Sequence, residues 1–506
     1  MTKLLITSKD PFDVVVSAVK QAGLMVRPTY GPAANKVVIA KQVYGMVVDD
    51  GVQIMRDLEL PDPNENAILK VLKETAIKTN DRAGDGTTGS MIMLESIIVG
   101  VSEQTHRYGH KIEAELKEAS KEAVEQLRKM SKPVKTKEEL VKVARVSYND
   151  EEVAEIIADT WHKVGPDGVV TIEGSVTAKT TAEMAEGLSF KRGYVSPYMV
   201  TDGSRMEAIV EKPYILITDY RLTEAADILP IMNLLASKNI LNLVVIAENI
   251  EQGALATMVV NKMQGKFNCV AINAPASDNM TVMLDDIAKL VGGRVFSSER
   301  GDKLENATIA DLGRAQRFVA KRDSSLIVKP KGNAAIVKKL VKDLQTAMVN
   351  ETDEKNKGKL RERLGLFTNQ IAVIKVGGET DNEQKAKRYK VEDAVASVRA
   401  AFRGGVVAGG GVALARVNTQ SELLNRALRR PHLQLLENME IDKVPKLKEG
   451  EALNVITGEI GPWMKVGVLD PVDVLIAAVE SAVSIASIMV TISGLIVEPP
   501  VEPKRE

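Results

Sequence analysis

The pattern of apolar residues changes along this chain, from helical spacing at both ends to short apolar runs among helical stretches in the middle. Near the start, Asp10-Pro11 has the form of a helix cap followed by proline at the first helical position, with Val14, Val15, Ala18 and Val19 next. Ile68, Val71, Leu72, Thr75, Ala76 and Thr79 trace one side of a second helix, and Ile112, Leu116, Ala119, Ala123, Leu127 and Met130 one side of a third. Between the first two, residues 36–48 read as a hairpin with Tyr44-Gly45 near its turn. Toward the other end, Pro471 opens a long helix over 471–490 with a continuous Ala/Val/Ile face. Both ends therefore read as helical.

The middle is different. Val169-Val170-Thr171-Ile172-Glu173 comes after a Gly-Pro-Asp-Gly turn at 165–168, and 214–218, 241–247 and 269–274 are short buried-strand candidates. Helical patterns at 224–237, 251–264 and 280–291 lie among them, and strand–helix alternation indicates an α/β unit. Residues 334–366 form a highly charged helical pair broken near Thr352. No internal repeat or long low-complexity linker interrupts the chain. At 506 residues it exceeds one ordinary core, so two or three domains are expected.

Charge and cysteine narrow the function classes. With 67 basic and 68 acidic side chains the formal net charge is −1, which argues against a protein built to grip nucleic acid. The single cysteine, Cys269, lies in the apolar run 267–272 and reads as a small buried hydrophobe, consistent with a reducing, cytoplasmic compartment. Lys9-Asp10 arrives before any signal-length apolar core develops. The apolar stretch 485–497 is interrupted by Ser487, Thr491, Ser493 and Gly494, too short and polar to span a bilayer, so a soluble protein without a membrane partner is expected. His106 and His110 are spaced i, i+4, but no third ligand stands nearby, so no metal site is read there.

Candidate chemistry lies in two glycine turns from opposite ends of the chain. Gly84-Asp85-Gly86-Thr87-Thr88 and residues 406–416, with Gly409, Gly410 and Gly411, each open onto a helical pattern. Backbone N–H groups at a helix start attract anions, and glycine lets the backbone approach a phosphate. Asp85 suits Mg²⁺, which takes oxygen ligands and keeps waters and phosphate oxygens in its shell. Together the turns suggest one nucleotide site closed by both halves of the chain.

With their neighbours these segments resemble the group I, GroEL-like chaperonins, from about residue 10 to about residue 500. The resemblance is carried by Thr79-Asn80-Asp81-Arg82-Ala83-Gly84-Asp85-Gly86-Thr87-Thr88, by Arg192-Gly193-Tyr194-Val195-Ser196-Pro197-Tyr198 and by residues 254–261. Val391-Glu392-Asp393-Ala394, residues 405–414 and Gly467-Val468-Leu469-Asp470-Pro471 complete it. It implies a multi-domain α/β (α+β) chaperonin fold. A helical equatorial ATPase domain would span 1–132 and 404–506, a small intermediate domain 133–185 and 372–403, and an α/β apical domain 186–371.

The resemblance also assigns roles. Thr29, Tyr30, Gly31 and Pro32 match a phosphate-contacting turn, Asp85 the Mg²⁺ ligand, and Gly86, Thr87 and Thr88 the phosphate loop. Gly409 and Gly410 match glycines beneath the nucleotide; Asn454, Val468 and Asp470 match residues around adenine and ribose. Asp393 matches the carboxylate that activates the attacking water, and Asp50 a second one near the γ-phosphate. ATP and Mg²⁺ are the implied cofactors, with K⁺ a further candidate. Tyr194, Tyr198, Met199, Leu229, Met232, Leu255, Val259 and Val260 match an apical groove for unfolded or misfolded polypeptides, which the family also uses for a co-chaperonin lid. The expected function is that of an ATP-hydrolysing ring chaperonin, homo-oligomeric and sevenfold.

Several positions depart from the family pattern. Asp49 stands where lysine is usual; an inverted charge beside a phosphate would cost about 1–3 kcal/mol, the scale of a charge-assisted hydrogen bond. Gly89 replaces a threonine, with Ser90 beside it, and Asn369-Gln370 replaces a hinge glycine pair opposite Gly187. Arg192 and Asp381 match an inter-subunit salt bridge. The 99–115 region and the stretch from 411 to 470 are shorter than usual where two rings meet, and the Gly-Met tail is replaced by residues 498–506, so single and double rings both stay open. A holdase or scaffold with weak or uncoupled ATPase is the alternative function. A small-molecule kinase would need an acceptor pocket with a base, and the sequence shows no such constellation.

Overall fold

The computed structural model describes residues 4–497 apart from 7–9, 33–34, 41–44, 49, 84, 106–107, 135, 166–167, 176, 186, 204, 276–279, 352, 354–355, 357–359, 361–362, 365–366 and 368–370. The side chains of 4–6, 45–46, 75, 77–83, 349–350 and 381–382 are also outside the description. Asp49, Gly84, His106, Thr352, Asn369, Gln370, the 498–506 tail and the Asp381 side chain therefore lie outside it. The chain forms two compact units, one of residues 1–166, 172–182 and 374–506, the other of 167–171 and 183–373.

The first unit opens with helices whose caps are written in the sequence. Asp10 accepts from the Phe12 N–H at 3.0 Å and starts α1 (Pro11–Val26), with Pro11 at the first position. The short α2 (Gly51–Asp57) is capped by Asp50. The buried face of α1 packs on α3 (Pro63–Ala83) and α4 (Thr87–Ser102). In α5 (Gly109–Met130) the stripe Ile112, Leu116, Ala119, Ala123 and Leu127 is buried, and Met130 half-buried. A reciprocal Thr136–Glu139 capping box starts α6 (Lys137–Ser147). Asp150 caps α7 (Glu151–Val164), which ends on Gly165 at φ +78°. Strands Val37–Ala40 and Gly45–Val48 form the expected hairpin.

The second unit is built on parallel strands Asn268–Asn273, Asn242–Ala247 and Tyr214–Thr218, with Val244 opposite both Val270 and Ile215. Leu243 to Ala247 are all fully buried because both faces of the sheet are covered, and that is why the strand reads as an unbroken apolar run. The strand at 169–174 lies close to its expected bounds. Helices α8 (Ala225–Ala236), α9 (Gln252–Met263) and α10 (Met280–Val291) lie within two residues of theirs. Gly187–Phe190, Ala208–Glu211, Gly313–Ala320 and Ser325–Pro330, not read from the sequence, extend the sheet in antiparallel fashion. Of the charged pair, α11 (Ala334–Asn350) is described. Arg363 reaches α10 in a bidentate pair with the buried Asp286 carboxylate (2.8 and 3.0 Å), and Phe367 packs on the same core.

Back in the first unit, α12 (Asp381–Gly404) packs on α6 and α7, and the buried Trp161 indole donates to the Val395 carbonyl at 3.2 Å. Strand Val406–Ala408 leads to α13 (Val412–Arg416), α14 (Glu422–Asn438) and α15 (Trp463–Val466), then pairs with Leu469–Pro471. The last helix, α16, is Val472–Met489: Pro471 ends the strand and caps the helix instead of beginning it. It is long and apolar enough to cross a membrane, yet 72% of it is buried among the helices of its unit, so core packing accounts for its composition. The reading of both ends as helical is corrected at the extremes, because Leu4–Ile6 pairs antiparallel with Leu495–Val497.

Asp286 supplies a test of the second unit. Removing its partner would leave a buried carboxylate uncompensated, so Arg363→Met should lower stability by about 3–5 kcal/mol. Adding Asp286→Leu should recover most of that loss in urea-unfolding experiments.

Candidate functional site

Both glycine turns belong to the first unit. At the start of α4, Gly86 is left-handed at φ +87°, and a Cβ there would stand 2.9 Å from Val474 Cγ1. No side chain caps this helix. Its first turn therefore presents backbone N–H groups together with the Thr87 hydroxyl, which is buried and has no hydrogen-bond partner. Thr88 sits against Gly51, where a Cβ would collide with its hydroxyl. Asp85 is fixed at both carboxylate oxygens. Oδ1 accepts from the Gly86 N–H at 2.6 Å, and Oδ2 accepts from Ser397 at 2.7 Å and Ser147 at 3.3 Å.

The second glycine turn is held beside the first. Gly409 donates to the Val468 carbonyl at 2.9 Å, and a Cβ on it would stand 2.9 Å from Asp470 Oδ1. Gly410 and Gly411 are left-handed at φ +65° and +75°, and a Cβ on Gly411 would meet the His432 backbone N at 2.6 Å. Burial and the nearby Asp85 charge push the Asp470 carboxyl up to about 7, against the downward pull of the Gly411 and Gly410 N–H groups. Val468 presents Cγ1 3.5 Å from the Cβ position of Gly410, where an apolar wall was expected.

Tyr30 and Gly31 complete this region through α14. Leu435 points Cδ1 at Gly31, which has φ +105°, and Cδ2 at Gly410, so one side chain spaces the two turns. Asn438 donates to the Arg27 and Tyr30 carbonyls at 2.8 and 2.9 Å, and His432 Nδ1 lies 2.8 Å from the Gly410 carbonyl. The Thr29 hydroxyl is used locally, on the Val26 carbonyl, and Pro32 follows Gly31 on the exposed side of the turn. Burial, then Asp470 and Asp85, hold the Tyr30 phenol well above its ordinary range, so it stays protonated. Burial is also the main cause raising Asp50, whose two oxygens accept from the Val52 and Gln53 N–H groups at 3.0 and 3.2 Å.

The Asn454 side chain is engaged in its own turn, accepting from Ile456 and Thr457 and donating to the Val466 carbonyl at 3.2 Å, so it shapes the approach to Val468. Asp393 sits half-buried on α12, one helical turn before Ser397, and thus on the face that reaches Asp85. Gly89 leaves only the Tyr30 ring edge near its Cβ position, at 3.7 Å.

Among the described residues no group of three or more His, Cys, Asp or Glu is arranged to hold a metal. Mg²⁺ needs only one or two protein carboxylates beside phosphate and water oxygens, so Asp85 fits that ion. The unpartnered Thr87 hydroxyl, the open helix start and the glycines of the two turns fit a phosphate group.

The groove residues belong to the second unit. Tyr198, Leu229 and Val260 are exposed, whereas Leu255 and Val259 lie half-buried against the core. Three expectations are corrected: Tyr194, Met199 and Met232 are buried in that core, Met199 with its sulfur against the Ala271 N–H at 3.0 Å. Met263, 71% exposed and one turn beyond Val260 on α9, joins the exposed set unread from the sequence. The expected hinge glycine Gly187 is the first residue of a strand, where a Cβ would collide with Ile371. Arg192 lies just beyond that strand, its carbonyl bonded by Ser325.

Sequence reasoning also missed Leu435, Asn438, Ser147 and Ser397. The one available signal was Ser397 among the apolar residues of its helix, four after Asp393. The raised Asp470 carboxyl yields a pH test. Both states are protonated below the ordinary value of 3.8, and the unfolded chain then loses its proton first, so this group's contribution to stability is lost as pH rises toward about 7. In metal-free buffer the melting temperature of Asp470→Asn should gain on the wild type across that window; a pH-independent difference would contradict the assignment.

Residues 24–500 match the model of the TCP-1/cpn60 chaperonin family. The fold is similar to that of the chaperonin gp146 from the bacteriophage EL 2 (Pseudomonas aeruginosa), solved in two crystal forms in the presence of ATP-BeFx. Form II gives a TM-score of 0.68 at 19% identity, covering 98% of this chain and 100% of that one. Form I gives 0.62 at 19% identity, covering 98% and 99%. At that identity the likeness is one of fold, and the family rests on the match that runs through both glycine turns, α12 and the Asp470 strand: the chain belongs to the TCP-1/cpn60 chaperonin family.

Proposed function

We propose that this chaperonin binds and hydrolyses ATP with Mg²⁺, and uses the cycle to hold and release non-native polypeptides. The observation that carries the reading is the meeting of two glycine turns at Asp85 and Asp470, beside a buried threonine hydroxyl that lacks a partner. A bound phosphate would satisfy that hydroxyl and the open α4 N-terminus. A divalent cation would offset the charge that Asp85 imposes on Asp50, Asp470 and Tyr30. Mg²⁺ on Asp85 would supply Lewis-acid stabilisation of phosphoryl oxygens. Asp393, one turn from the Ser397–Asp85 contact, is placed to orient the attacking water, with Asp50 as the second carboxylate.

In this reading the equatorial domain is 1–132 with 404–506, the intermediate domain 133–185 with 372–403, and the apical domain 186–371. Clients meet the exposed Tyr198, Leu229, Val260 and Met263, because apolar side chains without fixed partners suit varied chains. Assembly as a sevenfold ring in the cytoplasm, single or double, belongs to the same proposal, as do a co-chaperonin lid and K⁺.

Asp393→Ala should leave ATP binding intact and reduce turnover at least a hundredfold, read by phosphate release beside a nucleotide-binding titration. Unchanged turnover would remove Asp393 from this role. Absent turnover in the wild type would favour an uncoupled holdase. Leu229→Ser with Val260→Ser should abolish capture of a denatured client while assembly, followed by native mass spectrometry, persists. Normal capture by that variant would place the client surface elsewhere.

A further inference from the structure

Ser397 is a buried hydroxyl on a helix face otherwise lined by Val391, Ala394, Val395, Val398 and Ala401. A hydroxyl in such a place is costly unless bonded, and its bond is the 2.7 Å contact to Asp85 Oδ2. Ser147, the last residue of α6, lies 3.0 Å from the Ser397 oxygen and 3.3 Å from the same carboxylate oxygen. An ionised carboxylate has no proton to give, so the direction is fixed: Ser397 donates to Asp85, and Ser147 donates toward the pair. The Gly86 N–H holds the other oxygen at 2.6 Å. A free aspartate has a broad terminal torsion; this one is held from both sides, with lone pairs left for a cation.

We propose that Ser397, backed by Ser147, is a positioning residue that orients the Asp85 carboxylate for the divalent cation and ties it to the helix carrying Asp393. The proposal rests on the nucleotide reading above and adds to it. Three segments far apart in sequence (the loop before α4, the end of α6 and the middle of α12) meet at one carboxylate. A cation on Asp85 would thereby be linked to α12 through Ser397. Hydrogen bonds to a ligating carboxylate typically govern metal affinity by about 10–100-fold.

The test uses the full chain and ADP, titrated calorimetrically in EDTA and again in Mg²⁺, for the wild type, Ser397→Ala, Ser397→Thr and Ser147→Ala. The quantity read is the gain in ADP affinity on adding Mg²⁺. Ser397→Ala should reduce that gain by about tenfold while leaving affinity in EDTA unchanged. Ser397→Thr, which keeps the hydroxyl, should retain it, and Ser147→Ala should lose it in part. Hydrogen exchange of α12 in the Mg²⁺–ADP state should quicken in Ser397→Ala. A full Mg²⁺ gain in Ser397→Ala overturns the proposal. Should that variant not fold, a full gain in Ser147→Ala overturns it instead. A wild type that binds ADP with no help from Mg²⁺ overturns the cation role and the clasp together, and one that binds no ADP overturns the nucleotide reading as well.

Discussion

The charge of Asp85 organises the region around it. Burial raises Asp470, Asp50 and the Tyr30 phenol, the Asp85 charge adds to each of these shifts, and Asp85 itself is held in place by hydroxyls from α6 and α12. Burying carboxylates near one another is unfavourable unless something compensates. The partial compensation visible here is dipolar: the N–H groups of Gly86, Gly410, Gly411, Val52 and Gln53, with the Ser147 and Ser397 hydroxyls. In the proposed reading a bound cation would supply the rest of that compensation, and uncompensated burial of charge is the kind of stability cost that binding centres carry.

Much of the fold was legible because its signals are local. Asp10-Pro11 announced α1, the Ile112–Leu127 stripe announced α5, and unbroken apolar runs announced the parallel strands. What escaped depended on distant partners. Leu4–Ile6 is a strand only because Leu495–Val497 lies beside it. The antiparallel strands at 187–190, 208–211, 313–320 and 325–330 lack a clean alternation, and their identity comes from pairing. Proline at 471 reads locally as a helix start, and strand pairing with 406–408 shifts that start by one residue.

The site shows the same division. The glycines and carboxylates carry motif spacing, so they could be found. Leu435 and Asn438 act through contacts that no spacing encodes, one as a spacer between two turns and the other on two carbonyls. For the expected groove residues the resemblance gave positions along the chain without saying which way each side chain faces. Met199 and Met232 are as apolar as Val260, and only the packed structure separates core from surface.

The strand pair 406–408 with 469–471, together with the Gly409–Val468 bond, closes a long excursion of chain at its base. Such a closure makes the excursion's length nearly independent of the geometry at its root, since adding or removing residues in a loop costs little free energy. The exception is α14, which braces both turns through His432, Leu435 and Asn438. Residues could therefore be added or removed between Asn438 and the antiparallel strand pair Glu451–Leu453 with Ile460–Pro462, redrawing the surface there, without disturbing the root of the excursion.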